Sequence, residues 1–213
     1  MDENVLWYRN KQVEKTIKNL ELRNMMGIFV EDELQLFNKL NEFITENSVI
    51  GVGDSVTLEE TGVLKYLRQN KFHFLDKYKD GLTREEKRKI YIQNFSADTF
   101  MCSTNALTED GYLFNIDGNG SRVAPMLYGP KQVIVVTGMN KLVLNLEEAQ
   151  KRVRNYAAPL DAKRLKKDTP CTKIGNCVDC KSPNRICNDF VTITGQFEKN
   201  RIKVIIIGKS FGY

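Results

Sequence analysis

Hydrophobic positions spaced three, four and seven residues apart predict a helix at the start of the chain. From residue 4 to about residue 26, the apolar positions on one helical face are Leu6, Val13, Ile17, Leu20 and Met25. Gly27 is a typical helix stop. We therefore expect an N-terminal amphipathic helix within residues 1–27.

Short apolar runs then alternate with helical periodicity. The segment "TREEKRKIYIQNFSAD" starts with a capping box formed by Thr83 and Glu86, which predicts another helix. Five elements are predicted before this helix. They are, in order, a strand at 28–30, a helix carrying Leu34, Phe37, Leu40 and Ile44, the strand "SVIGVGD", a helix interrupted at Gly62, and the strand "FHFL". This alternation predicts an α/β fold with helices on the faces of a sheet.

After residue 98 the pattern is mostly that of strands. The predicted elements are "TFMCST", "GYLFNID", "QVIVVTG", the helix "NLEEAQKRVRNYAA", "FVTITGQ" and "RIKVIIIG". The last is almost continuously apolar, as expected for a strand buried on both faces. A stretch of weak periodicity between Pro159 and Phe190 contains a cysteine-rich loop, residues 168–188. We find no linker or repeat, so residues 1–213 are predicted to form a single domain.

Composition and charge restrict the possible functions. The chain has 213 residues, of which 41% are hydrophobic and 28% charged, and it has no apolar run long enough to span a membrane. Its polar, acidic start lacks the features of a secretory signal, which predicts a cytoplasmic protein with reduced cysteines. The net charge is +5, concentrated in residues 151–167. We interpret this segment as a solvated helix face and expect no nucleic-acid partner.

The first candidate site follows a predicted buried strand in "VIGVGDSVTLEETG". Glycines, hydroxyl side chains and the start of a helix come together there, which suits a small anionic ligand. A capped strand-to-helix turn explains the same pattern about equally well. The candidate ligand-binding residues in this segment are Gly51, Gly53, Ser55 and Thr57.

A second polar cluster lies in "CSTNALTEDGYLFNIDGNGSR". Its Asp-Gly and Asn-Gly pairs predict a hairpin, but a hairpin does not require so many polar side chains. In α/β sheets, polar residues at strand ends often form the ligand crevice. Arg122 offers a planar guanidinium for a carboxylate or phosphate. The candidate ligand-binding residues here are Thr104, Asn105, Asn115 and Arg122.

Four of the five cysteines lie within "PCTKIGNCVDCKSPNRICN". Thiolates at such spacing bind zinc or an iron–sulfur cluster, and this interpretation is favoured over free thiols, a redox pair or a disulfide knot. The spacing differs from that of a zinc ribbon, which has two CxxC pairs. The candidate metal ligands are Cys171, Cys177, Cys180 and Cys187.

The chain as a whole resembles the LUD (lactate utilization) domain family in its single-domain form. The resemblance rests on "VGDSVTLEETG", on the segment from "NFSADTFMCSTNALTEDG" to "VIVVTGMNKLV", on "RVRNYAAP" and on the cysteine motif. It implies a three-layer α/β fold like that of the NagB/RpiA/CoA transferase group, with a largely parallel central sheet. The chain departs from the family pattern at Asp54, a position where family members commonly have a second glycine.

The resemblance implies a role in oxidising L-lactate to pyruvate together with iron–sulfur partner subunits. Our leading hypothesis is a small-molecule-binding or electron-transfer accessory component. The alternative is a CoA transferase-like or phosphosugar isomerase-like enzyme. In that enzyme Glu109 would be the nucleophile or the acid/base, and Asp117 is the second candidate. Glu109 lies in a Thr-Glu-Asp-Gly stretch that is similar to the Ser-Glu-Asn-Gly stretch of CoA transferases. A third hypothesis makes the N-terminal helix a docking surface, for example in a homodimer.

Overall fold

The computed structural model describes residues 2–213. Helices and strands alternate through most of the chain. The helices are α1 (Glu3–Glu21), α2 (Glu33–Phe43), α3 (Val56–Glu60), α4 (Val63–Gln69), α5 (Arg84–Gln93), α6 (Val123–Leu127), α7 (Leu146–Arg152), α8 (Ala158–Arg164) and α9 (Pro170–Ile174). The strands are β1 (Met26–Val30), β2 (Val49–Val52), β3 (His73–Phe74), β4 (Thr99–Cys102), β5 (Ala106–Thr108), β6 (Leu113–Asp117), β7 (Gln132–Gly138), β8 (Leu142–Val143), β9 (Asp189–Ile193) and β10 (Ile202–Ile207).

A six-stranded sheet in the order β1-β10-β7-β4-β2-β3 forms the centre of the molecule. Every neighbouring pair in it is parallel. Along β10, Val204 and Ile206 pack into the core on one face, whereas Ile205 and Ile207 pack into the core on the other. The predicted α/β fold with a largely parallel central sheet is therefore confirmed.

The second face of this sheet is covered in a way that the sequence did not predict. A four-stranded sheet, ordered β8-β5-β6-β9, packs there together with α1 and α6. Strand β9 pairs antiparallel with β6, although the two are far apart in the chain. Strands β5 and β8 are too short to produce a recognisable alternation of polar and apolar residues.

The N-terminal helix is shorter than predicted. Asp2 caps its start, and it ends at Glu21 rather than near Gly27. The chain turns through Asn24, which has a left-handed conformation (φ 59°), and then enters β1, where Gly27 pairs with Val204. Pairing with the buried strand β10 therefore ends the helix early. Its first two turns leave Val5, Leu6, Trp7 and Tyr8 exposed, and the homodimer stays a prediction.

The segment between Pro159 and Phe190 is more ordered than predicted. Helix α7 continues through a π-helical turn at Val153–Ala157 into α8, and α9 includes Cys171. From residue 175 to 188 the chain has neither helix nor strand. Across residues 2–213, no helix combines the length and the apolarity needed to cross a membrane.

Candidate functional site

A polar cavity lies where three neighbouring strands end. Strands β2, β4 and β7 are parallel, so their carboxyl ends meet at one edge of the sheet, a common place for ligand sites in α/β proteins. The residues that follow these strands line a cavity of about 620 Å³, which α8 and the cysteine-rich loop border on other sides. This volume is typical of small-molecule sites.

Lys141 is the most unusual residue of the cavity. It follows β7 through a short 3₁₀ turn and is only 3% exposed. Its Nζ donates to Thr57 Oγ1 at 2.8 Å and to Ser103 Oγ at 3.2 Å. Burial, followed by the nearby charges of Arg152 and Arg122, lowers the pKa of this lysine to about 7. The sequence analysis missed Lys141, and its position just after a buried strand was the available signal.

The charges around the cavity are unbalanced. Its three acidic residues each pair with a cation: Asp117 with Arg122, Asp161 with Arg164, and Asp54 with the buried Lys77. Three further basic residues line the cavity without a carboxylate at salt-bridge distance among residues 2–213, and these are Lys141, Lys167 and Arg185. The surplus positive charge favours an anionic ligand.

The basic stretch 151–167 contributes to this charge. Two of its basic residues, Arg164 and Lys167, line the cavity instead of only facing bulk solvent. The solvated helix face predicted for this stretch is therefore an incomplete description. Tyr213 also lines the cavity, although no sequence pattern predicted it.

Arg122 lies in the cavity wall with its guanidinium bonded to the protein. Its Nε donates to Asp117 Oδ1 at 3.0 Å. The four remaining N–H groups donate to the Ser103 carbonyl, Asn115 Oδ1, Asn105 Oδ1 and the Ile116 carbonyl. With every donor already used, Arg122 positions the polar wall and has no N–H group free for the carboxylate or phosphate predicted from the sequence.

The two glycines of the predicted anion turn make room for neighbouring side chains. A Cβ atom on Gly53 would lie 2.7 Å from Arg122 Cγ, and one on Gly51 would collide with the Asn94 side-chain oxygen. Neither glycine lines the cavity. Their backbone is therefore required for packing, and the cavity begins after them at Asp54 and Ser55.

The other predicted ligand residues divide between cavity wall and framework. Ser55 lines the cavity while its Oγ caps α3 by accepting from the Leu58 N–H. Thr104 and Asn105 also line it, and Thr104 Oγ1 donates to backbone carbonyls of the second sheet. Thr57 Oγ1 accepts a hydrogen bond from Lys141 Nζ, and Asn115 Oδ1 accepts one from Arg122 Nη1.

The two predicted catalytic carboxylates have structural contacts. Glu109 accepts hydrogen bonds from Gln12 at 2.8 Å and Lys15 at 2.9 Å, both on α1, and does not line the cavity. Asp117 does line it, but accepts from the backbone and side chain of Arg122 and from the Val123 N–H. Glu109 therefore connects the N-terminal helix α1 to the end of β5.

Comparison with known proteins assigns the chain to a family. The family model of the LUD domain matches residues 13–207, which is most of the chain. The chain belongs to the LUD domain family. This relates it to lactate utilization, as the sequence resemblance implied.

A solved structure has a similar fold. A crystal structure of a DUF162 family protein from Deinococcus radiodurans has a TM-score of 0.55 and 11% sequence identity, and the match covers 94% of this chain and 98% of that one. At this identity the likeness concerns the fold alone. The structure of eIF2B beta from Chaetomium thermophilum matches with a TM-score of 0.36, 13% identity and 53% and 43% coverage, too partial to bear on the architecture. No curated protein matches the sequence significantly.

The four clustered cysteines of this LUD domain converge on a second, smaller pocket. Its lining includes Cys171, Cys177, Cys180 and Cys187. All are free, partly buried thiols, so the structure contains no disulfide knot. Within residues 2–213, no three or more His, Cys, Asp or Glu side chains have the spacing of a metal site. The metal site therefore stays a prediction.

Proposed function

We propose that this LUD domain binds a small organic acid anion in the cavity, as a ligand-binding component of a lactate-utilization process. The observation that carries the proposal is Lys141, a buried amine at the cavity wall with hydroxyl partners but no carboxylate within salt-bridge distance among residues 2–213. Burying such a group is costly unless a partner compensates it. A ligand carboxylate would supply that partner.

The chemistry of the wall supports a 2-hydroxy or 2-oxo acid. The hydroxyl groups of Ser103 and Ser55 and the side chain of Asn105 can bond a hydroxyl or carbonyl oxygen next to the carboxylate. Arg185 and Lys167 add positive charge on other sides. At about 620 Å³ the cavity exceeds what lactate or pyruvate fills, so larger acids, CoA esters and phosphosugars belong in the same test.

An electron-transfer form of this role would need a redox centre in addition to the anion cavity. The four clustered cysteines are the candidate ligands for one. We find no feature that favours the CoA transferase-like alternative, because Glu109 bonds to α1 and lies outside the cavity lining.

A thermal-shift experiment with matched ligands tests the anion proposal. L-lactate and pyruvate should raise the melting temperature, because they bind only the folded chain, whereas the uncharged analogue L-lactamide should not. Lys141→Met should weaken the binding of the effective anion roughly tenfold or more, the cost of losing a hydrogen bond to a charged group. Lys39→Met, on the exposed face of α2, is the matched control.

Two outcomes would refute the proposal. One is an equal shift with lactate and lactamide, and the other is an equal shift with the parent chain and Lys141→Met. If CoA esters or phosphosugars alone stabilise the chain, and do so through Lys141, the anion site stands but the lactate-type ligand is wrong.

A further inference from the structure

The pocket that the four cysteines line is otherwise mainly apolar. Its other walls include Ala158 and Pro159 at the start of α8, Ala162 one turn later, and Val178 between two of the cysteines. Sulfur is therefore the principal ligating element in a small, mainly apolar pocket. Thiolates in such surroundings select soft metal centres.

Two of the sulfur atoms already have polar neighbours at hydrogen-bond distance that could donate to a metal-bound thiolate. The Asp179 N–H donates to Cys177 Sγ at 3.4 Å, across a CxxC spacing. Asp179 has a left-handed backbone (φ 49°) that turns the chain back toward residue 177. The hydroxyl of Thr169 lies 3.2 Å from Cys171 Sγ. Hydrogen bonds of this kind orient and tune metal ligands.

Two arginines contribute to the same pocket, although Arg154 is paired with Asp179 at 3.1 Å. Four thiolates around a divalent ion, or around an iron–sulfur core of equal charge, leave two negative charges. Arg154 and Arg185 both line the pocket. Arg185 also connects two parts of the cysteine-rich loop. Its Nη1 donates to the Cys180 carbonyl at 2.8 Å, and its Nη2 donates to the Cys187 carbonyl at 2.6 Å. Its buried Nε has no partner among the described residues.

Closing on a metal requires the loop to move, including Cys187, which packs against the core cluster that contains Phe114 and Val153. Cys177, Cys180 and Cys187 lie in the stretch from 175 to 188 that has no helix or strand, and the thiols are not yet at metal-ligand spacing. Forming the four metal–sulfur bonds requires the sulfurs to move inward and each thiol to release its proton to solvent. Metal binding should therefore order this loop.

We propose that Cys171, Cys177, Cys180 and Cys187 together bind one thiolate-ligated metal centre, zinc or an iron–sulfur cluster, in a pocket that adjoins the anion cavity. The two spaces share a wall formed by Ala158, Arg185 and Ile186. The centre itself can be tested without any organic ligand. Only its relation to a bound acid rests on the proposed function.

Metal analysis of the full chain, purified without oxygen, tests the proposal. We expect about one centre per chain, either as stoichiometric zinc or, after incubation with iron and sulfide, as a cluster with visible absorbance. Cys177→Ser and Cys180→Ser should each remove most of the bound metal. Cys102→Ala is the matched control, because Cys102 is buried at the end of β4 and lies outside the pocket lining.

Arg185→Met separates a supporting role of this residue from general damage to the fold. Loss of its two carbonyl contacts should weaken metal binding roughly tenfold or more, while thermal unfolding of the metal-free chain changes little. If the parent chain carries neither zinc nor a cluster after reconstitution, and all four thiols titrate as free, the proposal is wrong. Equal metal content in the parent and in both serine variants would also overturn it.

Discussion

At the scale of single residues, one arginine organises the wall of the cavity. Arg122 bonds to acceptors that follow β4 and to acceptors on β6, and thereby links the edges of the two sheets. Most groups of this buried network have a partner, which favours rigidity, although the Asn115 side-chain nitrogen has none among residues 2–213. Gly53 permits it, because a side chain there would occupy the space of Arg122.

Replacing this glycine should therefore destabilise the fold. We expect Gly53→Ala to lower the free energy of unfolding by about 1–3 kcal/mol, the usual cost of overpacking a buried site. Gly118→Ala is the control, because a Cβ there would make an ordinary contact of 3.5 Å with the Ile186 carbonyl. Urea denaturation measures both, and equal effects would contradict this explanation.

The buried amine of Lys141 should make stability depend on pH. Its pKa is about 7 in the folded chain, against an ordinary value of 10.5. Between these values the unfolded chain holds a proton that the folded chain has released, so the free energy of unfolding should rise with pH. Burial also lowers the pKa of Lys77, which adds a contribution of the same sign.

Urea denaturation at about pH 7 and about pH 9 tests this dependence. Lys141→Met should reduce the rise in stability but not remove it, because Lys77 remains. The same rise in the parent and in the variant would show that Lys141 keeps an ordinary pKa in the folded chain.

At the scale of elements, the N-terminal helix is held to the second sheet by a few polar contacts. The Glu109 carboxylate bonds to Gln12 and Lys15, and the Asn19 side chain donates to the Glu109 carbonyl at 2.8 Å. Gly111 lets the hairpin approach α1, because a Cβ there would lie 2.8 Å from the Asn19 backbone. The first turns beyond these contacts are exposed.

Removing the Glu109 carboxylate should loosen this helix and leave the cavity intact. We expect Glu109→Ala to lower the urea midpoint and to speed amide hydrogen exchange in α1, with unchanged anion binding. Glu14→Ala, which breaks an exposed ion pair with Lys11 on the same helix, should have little effect. Loss of anion binding at unchanged stability would instead place Glu109 in the functional site.

At the scale of the whole molecule, local patterns predicted the parallel sheet but not its covering. Strand β10 is recognisable as a continuous apolar run, and the capping box at Thr83 correctly starts α5. The second sheet depends on pairing between β6 and β9, which no local pattern reveals.

The sequence also pointed to part of the candidate site. Polar residues after β2 and β4 predicted a crevice at the sheet edge where the cavity lies, and several of them line it. Lys141 was missed because its importance comes from burial, which the sequence does not display. Arg122 was recognised as important, but its role as a wall residue depends on five acceptors that only the folded chain brings together.

The most direct test of an anion site at the sheet edge is a crystal structure of the chain grown with pyruvate or L-lactate. The structure predicts that a carboxylate oxygen of the acid accepts a hydrogen bond from Lys141 Nζ, inside the cavity bordered by Ser103 and Arg185. An acid bound elsewhere, or bound in the cavity with its carboxylate turned away from Lys141, would contradict the proposed function.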